Sequence, residues 1–284
     1  MIGLHPELSG FPELTIFRRA SVHDLITDPP GWKGVPTRSR LAGLLRTLAQ
    51  FHDGEQSEVS VDAAMGWLEQ RRSWGVADVF DYLLEQVAPR TAVEKSPDNS
   101  ARADFLDRLR RSYPRARFIH LTRHPVTTVE SMWEVYRDRG LWNIPPELLH
   151  QFCLGAWYFH HRRILDLARG LPPEQMLRVR SEDVLSDPPG QLAAIARWLG
   201  VDDSPAAIDT MCHPERSVFA APGPRGAEGG NDTKFLRHPE LRPPRWPSGV
   251  GVPREWVVDP WFHVEVLRLA AFLGYRPGEG TDGV

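Results

Sequence analysis

Four short stretches of this chain carry side chains that can do chemistry. In FIHLTRHPVTTVESM (118–132), Arg123 stands at the carboxyl end of a run of β-formers, and Pro125 opens what reads as a helix. A helix start offers free N–H groups and a positive dipole, so it favours anions. Thr127, Thr128 and Ser131 fall in the first two turns. An arginine with hydroxyls at such a junction can clamp a phosphate. The competing reading is a local salt bridge with threonines that only cap.

In TAVEKSPDNS (91–100), Lys95 follows a strand and precedes a helix, with Ser96 and Asn99 close by. A lysine at a strand end can stabilise charge on a transferring group. It can equally be a solvated loop lysine. HPELSGFPEL (5–14) holds Glu7 and Glu13, turn carboxylates of the kind that serve as general bases or simply face water. In NDTKFLRHPEL (231–241), Lys234, Arg237 and His238 gather beside Phe235 and Leu236. His238 can act as acid or base near neutrality, or be one charge among others on a surface loop.

The elements that must position these residues follow from apolar periodicity. Leu41, Leu44, Leu45 and Leu48 give a helix over 37–52, which Thr37 would cap. Further helices read over 60–72, Val76–Val87, 100–111, from Pro125, 146–170, 190–199, Pro205–Met211 and 264–273. Extended segments read over 88–94, 116–122 and Met176–Arg180. The first 36 residues, punctuated by proline and glycine, give a helix end, a loop and a short extended piece. The stretch 214–260 reads as loop, with APGPRGAEGGNDTK mobile. Strands alternating with helices predict βαβ units and a parallel sheet in a single domain over 1–284, with ligands at the carboxyl ends of the strands.

Composition narrows the classes. The chain has 284 residues, 41% hydrophobic and 25% charged, enough for one large α/β domain. Its formal net charge of −3 lacks the basic excess of a nucleic-acid binder. Cys153 and Cys212 are too far apart for a metal knuckle and too few for a disulfide framework, which points to a reducing, cytoplasmic setting. The sequence has no apolar run of about 20 residues to span a bilayer, and its N-terminus has no signal-peptide pattern.

Taken in order, EKSP, FIHLTRHP with its TTVESM, MLRVRSEDVLSDP and KFLRHPELRP resemble the PAPS-dependent sulfotransferases across roughly the whole chain. The nearer likeness is to bacterial enzymes embedded in curacin-type polyketide synthases of secondary metabolism; tyrosylprotein sulfotransferases are more distant. The resemblance implies a P-loop-NTPase-like three-layer α/β fold with a central parallel sheet flanked by helices. It implies that Arg123 and Ser131 bind the 3′-phosphate of the nucleotide, that Lys95 steadies the departing sulfuryl group, and that Glu13 takes the acceptor proton. His238 would stand near the acceptor and Lys234 in the loop over the nucleotide. PAPS is then the co-substrate and PAP the product, with no metal required. The acceptor would be a small-molecule or carrier-tethered hydroxyl, without nucleic acid or membrane as partner.

The sequence departs from the family at two points. The first strand and its PRSGTT-type loop for the 5′-phosphosulfate are absent, and Met1 is expected to stand inside the helix that follows them. A misassigned start, with Met1 an internal methionine, is the favoured reading; a truncation and a natural degenerate form are the others. Ser181 stands where relatives carry an aromatic residue in a pattern like RYEDL. The alternative function is a non-catalytic relative that binds PAP or acts as a scaffold. A P-loop kinase relative would need a GxxxxGK(S/T) loop, and the sequence has none.

Overall fold

Four strands among the described residues give the molecule its frame: β1 (Leu8–Gly10), β2 (Thr91–Val93), β3 (Phe118–Thr122) and β4 (Met176–Arg180). The computed structural model describes residues 1–28, 37–138, 144–245, 247 and 251–275. The 29–36 part of the proline- and glycine-rich opening lies outside them, as do 246 and 248–250 of the stretch read as loop. The described residues fall into two compact units. The first comprises Met1–Asn99, Asp104–Pro114 and Asp187–Arg242; the second comprises Ser100–Ala103, Arg115–Ser186 and the described residues from Pro243 onward.

In the first unit β1 and β2 run parallel, with Leu8 opposite Thr91, Ser9 opposite Ala92 and Gly10 opposite Val93. The ladder continues for one bond, from the Phe11 N–H to the Val93 carbonyl at 2.9 Å. Pro12 has no N–H to extend it and turns the chain out of the sheet. Leucines at helical spacing bury one face of α1 (Ala42–Asp53): Leu44, Leu45 and Leu48 are fully buried. Gly54 ends the helix in the left-handed region at φ 73°. Ser57 and Ser60 form a capping box for Glu58–Glu69. In α2 (Val76–Val87), Val79, Phe80 and Leu83 complete the core against Phe17 and Val61.

The helix expected over 37–52 is divided. Thr37–Arg40 makes one turn and α1 starts at Ala42. Thr37 does not cap it: its hydroxyl donates to the Asp28 carbonyl at 2.6 Å, an acceptor from outside the segment that local periodicity cannot reveal.

In the second unit β3 and β4 pair in parallel from Phe118 opposite Met176 to Thr122 opposite Arg180. Around them lie α3 (Pro125–Asp138), α4 (Leu149–Ala168) and, after the stretch read as loop, a terminal helix, Pro260–Phe272. Val126, Val129, Cys153, Leu154, Trp157 and Val266 form its core. Among the described residues the parallel pairing expected from the sequence forms two two-stranded sheets, one in each unit.

Candidate functional site

The register of β1 against β2 brings Glu13 and Lys95 together. Three residues past the end of β1 and two past the end of β2, the Lys95 ammonium donates to Glu13 Oε1. Lys95 remains about half exposed and Glu13 about a quarter exposed, so the pair is open to a reactant. Its backbone seat is tight. The Glu13 N–H donates to the Gly230 carbonyl at 2.5 Å. A methyl group added at Gly43 in α1 would stand 2.1 Å from the Glu13 carbonyl oxygen, so only glycine lets the helix come so near. Past Glu13, Thr15 takes the left-handed conformation at φ 53°, sparsely populated for a β-branched residue. Its N–H donates to Ser96 Oγ at 2.9 Å and its hydroxyl to the Arg40 carbonyl at 3.0 Å.

Glu94 shapes the turn that carries Lys95. One carboxylate oxygen accepts from the Ser96 hydroxyl and the other from Asn99 Nδ2 at 2.9 Å. Burial pushes the Glu94 carboxyl above the usual carboxylate range, while these donors pull it back. Glu7, the other carboxylate of HPEL, is structural: it accepts the Asp202 N–H at 2.7 Å, beside the His5 ring on the Asp202 carbonyl.

Lys234 and His238 belong to the same unit. The stretch 214–260, read as loop, contains a short helix, Thr233–Arg237. Asp232 caps it by accepting the N–H groups of Lys234 and Phe235 at 2.9 and 3.0 Å, and buried Leu236 anchors it. Asp232 is the cap signal that a glycine-rich context hid. His238 follows the helix and is exposed. Among the described residues no hydrogen bond or ion pair joins it to Glu13 or Lys95.

In the second unit Arg123 leaves β3 and its Nε donates to Thr127 Oγ1 at 3.2 Å. Thr127 and Ser131 are one helical turn apart on α3, so the guanidinium lies against the helix face that carries Ser131. The hydroxyls of Thr127 and Thr128 also donate back to the His124 carbonyl at 3.3 and 2.9 Å. Clamp and cap are thus not exclusive. Trp157 Nε1 holds the Arg123 carbonyl at 3.0 Å.

A buried network unforeseen in the sequence fixes this turn. Glu182, 2% exposed, accepts the His124 N–H at 2.8 Å on one oxygen and the Tyr275 hydroxyl at 3.0 Å on the other. Tyr275 in turn meets the Thr122 hydroxyl at 2.9 Å. The Ser181 hydroxyl closes on Glu182 at 3.2 Å. Burial, opposed by the carboxylate of Glu182, holds the His124 imidazole below its ordinary value. The signal available in the sequence was the SED that follows β4, an acid placed in the first turn of a helix at a strand end.

The sulfotransferase family matches residues 2–205 of the chain. The chain belongs to the sulfotransferase family. Among curated proteins it is similar to the omega-hydroxy-beta-dihydromenaquinone-9 sulfotransferases Stf3 of Mycobacterium bovis and Mycobacterium tuberculosis, 27% identical to each over 150 residues. That match covers 43% of this chain and only 38% of each relative. Among solved structures it resembles the sulfotransferase domain from the curacin biosynthetic pathway, with a TM-score of 0.74 at 21% identity over 97% of this chain and 92% of that one. It equally resembles the sulfotransferase domain of the Synechococcus PCC 7002 olefin synthase, with a TM-score of 0.74 at 24% identity over 96% and 88% of the two chains. These neighbours establish the P-loop-like sulfotransferase fold. Among the described residues, no helix of this chain is long and apolar enough to cross a membrane.

Proposed function

We propose that this sulfotransferase moves a sulfuryl group from PAPS to a hydroxyl of a small-molecule or carrier-tethered acceptor in the cytoplasm. The observation that carries the reading is the Glu13–Lys95 pair at the carboxyl ends of two parallel strands, where α/β sheets place their ligands. The Glu13 carboxylate takes the acceptor proton. The acceptor oxygen forms its bond to sulfur as the bond from sulfur to the phosphate oxygen of PAPS breaks. The Lys95 ammonium offsets the charge that develops on the departing oxygen. The pair sets a proton acceptor beside a cationic donor, the arrangement that a base and an electrostatic stabiliser need.

In the same reading Arg123 and Ser131 bind the 3′-phosphate; the contact of Arg123 with Thr127, one turn before Ser131, supports it. Lys234 lies over the nucleotide and His238 near the acceptor, supported by the bond from the Glu13 N–H to Gly230, four residues before Lys234. The two cysteines are free, in keeping with a reducing compartment. The relatives' printed activities, on a menaquinone derivative and in synthase pathways, support a small or carrier-borne acceptor.

The test is binding of PAP against AMP, which lacks the 3′-phosphate, by isothermal titration. The chain is expected to prefer PAP, and Arg123→Ala to abolish the preference. Equal affinity for both nucleotides in the unaltered chain would remove the reading. Transfer of label from radiolabelled PAPS to a panel of alcohols, phenols and carrier-bound hydroxyls then identifies the acceptor.

A further inference from the structure

The second unit has a cleft that neither the Glu13–Lys95 pair nor the Arg123 turn uses. It opens between the C-terminal half of α4, the terminal helix Pro260–Phe272 and β4, and encloses about 540 Å³. Its lining residues all belong to the second unit, and Arg123, Thr127 and Ser131 are not among them. Small-molecule sites have volumes of about 300–1,000 Å³. Helical spacing builds two of the walls. Arg162, Leu165 and Arg169 recur along one face of α4, and Glu265, Arg268, Leu269 and Phe272 along one face of the terminal helix. Leu165, Leu269 and Phe272 make those walls apolar, and Phe272 keeps 62% of its surface in water.

Charge sets the cleft apart from the rest of the molecule. The chain carries a formal net charge of −3, yet Arg162, Arg169, Arg178 and Arg268 line this cleft against one lining carboxylate, Glu265. Arg268 pairs with Glu265 at 2.7 Å, and Arg169 pairs with Asp166 at 2.7 Å. Among the described residues Arg162 makes no hydrogen bond or ion pair, and Arg178 makes no ion pair. Two guanidinium charges are therefore left without a carboxylate. Arg178 is nonetheless held in place. Its Nη1 donates to the Phe272 carbonyl at 3.3 Å, and its guanidinium carbon lies 4.8 Å from the centre of the Phe272 ring. A donor fixed beforehand loses little freedom when it grips an anion. A cleft lined by one sign of charge between apolar walls concentrates ligands of the opposite sign.

We propose that this cleft is a second binding site, for an amphipathic organic anion. The ligand has an aryl or alkyl body and a sulfate, sulfonate, phosphate or carboxylate head. The body lies against Leu165, Leu269 and Phe272. The head meets Arg162 and Arg178, whose forked donors match its oxygens. The site stands apart from the roles proposed for Glu13, Lys95 and Arg123.

The probe is 1-anilinonaphthalene-8-sulfonate, an aryl sulfonate whose fluorescence rises in an apolar site, titrated into the full chain with and without saturating PAP. Saturable binding is expected, the same in both titrations. Arg162→Gln and Arg178→Gln are each expected to weaken it about fivefold or more. Arg197→Gln, which alters an arginine of the first unit paired with Asp203, is expected to leave it unchanged. N-phenyl-1-naphthylamine, a similar body without the sulfonate, is expected to bind about tenfold more weakly or worse. Arg162 has no ion pair to lose, so Arg162→Gln decides the matter if Arg178→Gln fails to fold. Absence of saturable binding, unchanged affinity in the cleft variants, an equal loss in Arg197→Gln, equal affinity for the neutral probe, or displacement by PAP overturns the site.

Discussion

At the ends of β1 and β2 the charged groups meet at the surface of an apolar unit, whereas at the ends of β3 and β4 the polar groups run inward. Glu13 and Lys95 keep about a quarter and a half of their side chains in water. They are placed by backbone fit: glycine at 43, glycine at 230 in the positive-φ region, and the left-handed Thr15. Arg123 is placed by hydrogen bonds reaching back to Glu182, Tyr275 and Thr122, all less than 5% exposed. A seat built by steric fit is vulnerable to added volume. A seat built from buried polar groups is vulnerable to lost partners and to protonation.

The largest expected effect tests the first turn directly. Glu13→Gln and Lys95→Met each lower turnover on the order of 10²–10⁴-fold while leaving PAP affinity within severalfold, measured by label transfer and titration. A Glu13→Gln chain of unaltered turnover would strip that turn of its role. Next, Gly43→Ala pushes against the Glu13 carbonyl and costs about 1–3 kcal/mol of stability, with turnover falling as Glu13 is displaced. Denaturant midpoints check it; an unchanged midpoint would mean that the helix gives way and that fit is not what seats Glu13.

The second turn has its own probe. Glu182→Gln puts an amide where two donors now meet a carboxylate, a loss of about 1–3 kcal/mol. PAP affinity is expected to fall, measured by titration. An unchanged PAP affinity would mean that the buried network does not seat Arg123.

A last effect is graded with pH. In the second unit His120 Nε2 and His161 Nδ1 share a buried hydrogen bond of 2.8 Å. Burial holds both imidazoles low, His120 at about 4 and His161 at about 3. The unfolded chain binds these protons near pH 6.5, so between about 6.5 and 4 it carries more protons than the native state. Stability therefore falls as pH drops through that window, by on the order of 1 kcal/mol per histidine per pH unit. Urea midpoints at pH 7 and pH 5 should differ in the natural chain, and the difference should shrink when both histidines become glutamine. A difference that the double replacement leaves undiminished would assign the effect elsewhere.

Elements with a strong local period were legible beforehand. Val76–Val87, Met176–Arg180 and Pro205–Met211 stand at the residues expected, because their apolar spacing and their flanking glycine, proline or serine are self-contained signals. The helix Thr233–Arg237 was not, because glycine and proline upstream outweigh one capping aspartate. Glu94 and Glu182 were missed as positioning residues because their partners are set by turns and by long-range contacts.

By itself the sequence determined the element types, the family, and the residues at which chemistry was expected, since each depends on runs of about ten to twenty neighbouring residues. Tertiary structure alone decided that Glu13 meets Lys95 across 82 positions, that Gly43 is the surface Glu13 rests on, and that three arginines crowd Asp28. Such contacts depend on strand register and on the close approach of distant backbone segments, and neither leaves a periodic mark in the chain.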